Sequence, residues 1–246
     1  MRVDLPGHPR VSAREFDHGA APFRTVIKRG PAEVHTVEHI LSALAGFGIT
    51  DCEIEIDGIE VPGMDGSAAP FLAAILDAGI NAGSTQRMDV LTVTEPVELT
   101  DGGARIQALP NPGSLQIEYT LHYPGHSLAQ GTYTFELTEA GYIREIAPAR
   151  TFAIRKDAEA MRAAGLGKGA DMQNTVIIEG DQALETELRF PNEPVRHKIL
   201  DLIGDLYVLE RPVHARIVAN CSGHRANRML AQRLNDLHPR NKNLHP

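Results

Sequence analysis

Along residues 195–206 the apolar positions recur with a helical period. Val195, Ile199, Leu202, Ile203 and Leu206 gather on one arc, while His197, Asp201 and Asp205 at i, i+4 and i+8 fall on another. The core face and the polar face are separate, and the pattern predicts that the polar stripe is wet. Asn192 supplies an N-cap for this helix and Pro194 sits in its first turn. An earlier helix begins at Thr36, a capping residue, and runs to a glycine-rich stop at 46–48. Next, Cys52, Ile54 and Ile56 alternate with Glu53, Glu55 and Asp57, as in a half-buried strand with one wet face. A tight loop over 61–67, with Asp65 or Ser67 as cap, leads into a helix over 69–78.

The remainder reads the same way. Before the first helix lies a polar stretch with short β-like pieces such as 23–28, ended by Gly30-Pro31. Residues 81–88, Asn-Ala-Gly-Ser-Thr-Gln-Arg-Met, are small, polar and unpatterned, which predicts a linker and a boundary between a first domain, 1–84, and a second, 85–246. The second half opens with β-like runs at 90–99, 105–108, 115–122 and 131–137. A helix over 154–164 follows, stopped by the glycine-rich run at 165–169, then a short strand at 175–179. Beyond the central helix come a strand over 213–221, a last helix to about Leu237 and a polar, frayed tail.

Laid over one another, residues 37–46 and 195–204 match Val37 with Val195, His39 with His197, Leu44 with Leu202 and Gly46 with Gly204. Each is followed by a β-rich segment, so one unit, a helix leading into a strand, is used twice. If the halves pack face to face, His39 and His197 meet. Two imidazoles plus Asp201, one turn from His197, make three ligands and leave one tetrahedral position for water, the pattern of a catalytic zinc. The competing reading is two buried histidines with hydrogen-bond partners, and a His-x3-Asp spacing alone is more often a surface hydrogen bond than a metal site.

Composition narrows the classes. The 246 residues are 42% hydrophobic and 23% charged, enough for two modest domains, and the net charge of −8 argues against a nucleic-acid partner. No apolar run reaches the roughly 20 residues of a membrane span, and the opening MRVDLPGHPR lacks a signal-like apolar region, so the expected location is the cytoplasm. Cys52 and Cys221, both in β-like apolar stretches, are expected to be reduced core residues.

Five phrases in order carry a resemblance: Thr36-Val37-Glu38-His39, Met64-Asp65-Gly66-Ser67-Ala68-Ala69-Pro70-Phe71, Ala149-Arg150-Thr151-Phe152, Val195-Arg196-His197-Lys198-Ile199-Leu200-Asp201 and Ser222-Gly223-His224. The sequence resembles the UDP-3-O-acyl-N-acetylglucosamine deacetylases, zinc enzymes of lipid A synthesis, from about Val34 to about Leu234. The resemblance implies an α+β fold of two similar two-layer domains with the active site at their interface. It makes His39, His197 and Asp201 the ligands of Zn2+ and Glu38 the general base for the attack of water on an acetamide. It gives His224 the task of stabilising the oxyanion or protonating the leaving amine, with Asp205 orienting it. Thr151 and Lys198 polarise or hold the substrate, and Phe152 matches a substrate-contacting position. The implied partner is a small molecule, a UDP-linked acylated amino sugar.

Two departures from the family pattern matter. The acyl-chain-binding unit, here about 152–179, carries Ala153-Ile154-Arg155 and Lys168-Gly169-Ala170-Asp171-Met172-Gln173-Asn174 in place of more apolar and Gly-Gly-Ser-rich stretches. The family's Gly-Leu-His phrase and its strand pair are not found: either the start is misplaced, or the first domain is short and its exposed sheet edge is covered by other means, such as a second subunit of a homo-oligomer. Two rival functions therefore stand beside the implied one: a zinc deacetylase for another sugar nucleotide or amide, and a non-catalytic sugar-nucleotide-binding paralogue.

Overall fold

Residues 1–16, 23–81, 89–163 and 174–239 are described by the computed structural model. Strands β1 (Val26–Arg29) and β2 (Ala32–His35) form an antiparallel hairpin in which Arg29 faces Ala32. Gly30-Pro31, expected only to break the chain, is the hairpin turn; Gly30 takes φ 55°, which glycine adopts without steric cost. Helix α1 (Glu38–Gly46) follows. Thr36 does not cap it: its backbone is left-handed at φ 56° and its hydroxyl donates to Glu60 at 2.7 Å, so Val37 takes the N-cap position. Helix α2 (Ala69–Ala78) has the predicted bounds, and the Ser67 hydroxyl, which donates to Asp65 at 2.7 Å, accepts the Ala69 N–H at 3.2 Å.

The predicted strand over 51–57 does not form. Its one bridge is Arg2 to Ile56, flanked by Val3 N–H to Ile56 O at 3.0 Å and Ile56 N–H to Met1 O at 2.9 Å. Alternation reports that one side faces water, but a ladder also needs a neighbour, and the neighbour here is a few residues long. Cys52 is consequently exposed, and Cys221 lies half-buried past a strand end; both are free thiols, but neither is a core residue.

The second half contributes β3 (Leu91–Thr92), β4 (Val97–Asp101), β5 (Ala104–Leu109), β6 (Leu115–His122) and β7 (Gln130–Glu136). A short α3 (Glu139–Gly141) runs into a π-helical turn, Tyr142–Ile146. Strand β8 (Phe152–Ile154) takes the first residue of the expected helix, so α4 (Arg155–Ala163) begins one residue later. Strands β9 (Val176–Glu179) and β10 (Gln182–Leu184) complete a small sheet ordered β10-β9-β8. Helix α5 (Glu193–Leu206), strand β11 (Val213–Asn220) and helix α6 (His224–Leu237) end the described chain. The main sheet runs β4-β5-β11-β6-β7 with β3 beside β11, and β11 is parallel to β6 but antiparallel to β5. Residues 82–88 of the expected linker over 81–88, the glycine-rich run at 165–169 and the tail from 240 lie outside the described residues.

Helix α5 is the centre of the molecule, packed on α1, α6 and strands β6 and β7. Its stripe of His197, Asp201 and Asp205 is not wet: all three are buried. Periodicity separates two faces of a helix without saying what covers the second, and here α1 and α6 do. The α1–α5 contact is tight, because a Cβ on Gly204 would lie 2.0 Å from the Glu38 carbonyl oxygen. Gly46, the residue aligned with Gly204, is pressed instead against the ring of Tyr142, whose hydroxyl donates to Ser42 at 2.9 Å. The helix-then-strand unit is realised once, from α5 into β11; after α1 the next element is α2, with no strand between them among the described residues. No described helix is long and apolar enough to cross a membrane.

Candidate active site

His39 occupies the second position of α1, and His197 and Asp201 lie one turn apart on α5. The helix crossing brings the two imidazole rings edge to face with centroids 5.0 Å apart. His39 Nε2 is 3.6 Å and His197 Nε2 3.3 Å from Asp201 Oδ1, and the ligand atoms of all three residues lie within 4.8 Å of one another. His197 Nδ1 donates to the Ala149 carbonyl at 3.0 Å, which leaves the lone pair on Nε2, aimed at the cluster. Lys198 Nζ donates to Asp201 Oδ2 at 2.7 Å. Oδ1 is buried and accepts no hydrogen bond. A buried, partnerless carboxylate oxygen beside two imidazole nitrogens is the donor set a Zn2+ would complete. Burial pushes the Asp201 carboxyl up, but Lys198, His197 and His224 overcome it and hold it well below the usual range.

Glu38 opens α1 and is buried. Its Oε2 accepts the Thr25 N–H at 2.9 Å, and its Oε1 stands 3.9 Å from His224 Nε2. Burial raises its carboxyl above the ordinary value against the opposing pull of His224 and His39. His224 starts α6, with Nδ1 2.9 Å from Asp205 Oδ2 and Nε2 3.9 Å from Asp201 Oδ2. Burial alone would lower this imidazole, but Asp205, Asp201 and Glu38 lift it to about 9.

The structure thus brings together Glu38, His39, His197, Lys198, Asp201, Asp205 and His224. Thr151 and Phe152 stand beside them: Thr151 N–H donates to Gly66 O at 2.8 Å, and Phe152 meets Tyr123 edge to face at 5.9 Å. Among the described residues neither makes a polar contact with the cluster; they join it along the chain through Ala149. Sequence reasoning missed three residues around Asp205. Asn227 Nδ2 donates to Asp205 Oδ2 at 2.8 Å, the Thr25 hydroxyl donates to Oδ1 at 2.5 Å, and Arg228 Nη1 donates to that hydroxyl oxygen at 3.2 Å. Asn227 and Arg228 follow His224 at i+3 and i+4, a spacing that could have placed them on its face. Thr25 carries no local signal, being 180 residues from Asp205.

The family model for LpxC, UDP-3-O-acyl N-acetylglycosamine deacetylase, matches residues 1–236. The chain belongs to this deacetylase family. A UDP-3-O-acyl-N-acetylglucosamine deacetylase of Anaeromyxobacter sp. (strain Fw109-5) is 41% identical over 235 residues, 95% of this chain and 76% of that one. One from Leptospira biflexa is 42% identical over 200 residues, 81% of this chain and 65% of that one. One from Synechocystis sp. is 36% identical over 237 residues, 96% and 86%. In this member of the deacetylase family, the Thr-Val-Glu-His, Val-Arg-His-Lys and Ser-Gly-His phrases converge on one point. The other two meet beside it, where Ala68 N–H donates to Ala147 O at 3.0 Å and Thr151 N–H to Gly66 O at 2.8 Å.

Proposed function

We propose that this chain is a zinc-dependent deacetylase that hydrolyses the N-acetyl group of UDP-3-O-acyl-N-acetylglucosamine, releasing the amine and acetate in lipid A biosynthesis. The reading rests on one observation. The partnerless Asp201 Oδ1 and two imidazole Nε2 atoms share a buried point, with a buried carboxylate on the residue next to one of them. His39, His197 and Asp201 would hold the zinc. When bound, it acts as a Lewis acid that activates water and polarises the acetamide carbonyl.

The side chains divide the proton work. Glu38, raised by burial, takes a proton from the attacking water as the new C–O bond forms. His224, kept protonated by Asp205, Asp201 and Glu38, faces the developing oxyanion and gives its proton to the nitrogen as the C–N bond breaks. Glu38 Oε1, 3.9 Å from His224 Nε2, then returns a proton to it and resets the pair. Lys198 fixes Asp201 through Oδ2 and leaves Oδ1 free. Thr151 and Phe152, at the mouth of β8, contribute substrate contacts, and the β8–β10 unit holds the acyl chain.

The same reading divides the chain into 1–84 and 85–246, related by duplication and meeting at α1 and α5. It includes a cytoplasmic location, in keeping with two free thiols. The test is elemental analysis of dialysed protein together with acetate release from the UDP-linked substrate. One zinc per chain with acetate release is the expected result. Zinc with acetate released only from another amide overturns the substrate, and tight binding of the sugar nucleotide without release overturns the catalysis.

A further inference from the structure

Thr25, in the segment leading into β1, is fully buried and grips two carboxylates at once. Its N–H donates to Glu38 Oε2 at 2.9 Å and its hydroxyl to Asp205 Oδ1 at 2.5 Å. The direction of that hydroxyl is settled by its third neighbour. Arg228 Nη1, 3.2 Å from Oγ1, can only donate, so the oxygen accepts from Arg228 and its hydrogen goes to Asp205. Arg228 is itself buried and anchored to the Arg24 carbonyl at 3.3 Å. Among the described residues no carboxylate lies in ion-pair reach of it, so its charge reaches the site through the threonine oxygen.

We propose that Thr25, braced by Arg228, is a positioning residue that sets Glu38 and the His224–Asp205 pair in register with each other. This rests on the deacetylase reading given above. With Oε2 held by the Thr25 amide, Glu38 turns Oε1 toward His224 Nε2. With Oδ1 held by the hydroxyl, Asp205 offers Oδ2 to His224 Nδ1 and Asn227. One residue therefore couples the group that accepts a proton, on α1, to the group that donates one, on α6. A second-layer hydrogen bond of this kind acts by limiting the orientations a buried charged group can take.

The experiment compares zinc-loaded parent, Thr25→Val and Thr25→Ser. Valine keeps the shape and the Glu38 contact to the backbone but removes the hydroxyl; serine restores it. In Thr25→Val, kcat falls about 10- to 100-fold, as for other outer-layer partners of a metal site, while zinc content stays that of the parent. KM stays within about twofold, since ground-state binding is untouched. Thr25→Ser recovers most of the loss. The low-field Nδ1 proton resonance of His224 in its bond to Asp205 is read on the same samples; it shifts in the valine variant and returns in the serine variant. A folded Thr25→Val with parental kcat and an unmoved resonance overturns the proposal, and so does a serine variant as impaired as the valine one. If the valine variant does not fold, Arg228→Met carries the test, with a kcat loss at unchanged KM expected and a parental kcat overturning the proposal. A parent that holds zinc but releases no acetate sinks the deacetylase reading alone, since the His224 resonance still reports on the positioning.

Discussion

Gly204 of α5 lies against the Glu38 carbonyl of α1 so closely that a Cβ would fall 2.0 Å from that oxygen. The residue that opens the helix crossing is therefore in contact with Glu38, the residue proposed as the base. Glycine at 204 is a requirement of the site, because any side chain there displaces the start of α1, and with it Glu38 and His39.

Gly204→Ala should accordingly act on stability and turnover together. Overpacking at a rigid backbone contact costs about 1–3 kcal/mol. For a chain of this size each kcal/mol lowers Tm by roughly 2–4 °C. The kcat measured well below the transition should drop as well, because the backbone that moves carries Glu38. Thermal melts and turnover on the zinc-loaded protein check both; a variant with parental Tm and kcat would mean that α1 and α5 slide apart at no cost.

Glu38→Gln keeps an acceptor for the Thr25 N–H and removes only the ability to take a proton. Turnover should fall by about 10²-fold or more, the usual size of a general-base contribution, with zinc content unchanged. Steady-state kinetics beside metal analysis decides the point, and a variant that turns over like the parent places the base elsewhere.

Much of this site is legible in the sequence. The β6 bounds and its alternation, Leu115, Ile117, Tyr119 and Leu121 buried, follow directly from the period-2 pattern. The repeat of His39 and His197 foretold that two helices would present imidazoles to each other. What the sequence could not reveal is what covers a polar face or pairs with a strand. The His197, Asp201 and Asp205 stripe has the composition of a solvated surface and becomes buried because α1 and α6 close over it. Residues 51–57 alternate like a strand but meet only Arg2 at one bridge. Thr25 and Arg228 touch across 203 residues of chain, a contact that no local period encodes.

Asp201→Ala should separate the metal from the fold. Two imidazoles remain, so zinc is lost on dialysis against a chelator that the parent withstands. The substitution also strands Lys198, which is nearly buried and ion-pairs with Asp201 at 2.7 Å. Removing one partner of such a pair costs about 3–5 kcal/mol. The double variant Asp201→Ala with Lys198→Met should regain much of that stability and none of the zinc. Denaturant unfolding and metal analysis on the single and double variants test this; a single variant that keeps its zinc shows that Asp201 is not a ligand.

The pH profile tests the division of labour between Glu38 and His224. His224 is lifted to about 9: burial pulls it down, but Asp205, Asp201 and Glu38 outweigh that. The protonated form is the one that donates, so activity from this group is complete well below its pKa and is lost as pH rises through it. Glu38 must be ionised, and burial raises its carboxyl, so the acidic limb lies above the ordinary glutamate range. The two limbs make a bell, and each belongs to the coupled site. A bound dication adds positive charge and draws both limbs down, so the comparison is between variants. Asp205→Asn removes the nearest of the carboxylates that raise His224, 2.9 Å away, and the basic limb should move to lower pH; His224→Ala should abolish that limb and lower the maximum rate with zinc still bound. Turnover at saturating substrate against pH, for parent and both variants, is the measurement. A basic limb that stays in place in both variants would transfer the acid role to another group, with Lys198, which ion-pairs with Asp201, the next candidate.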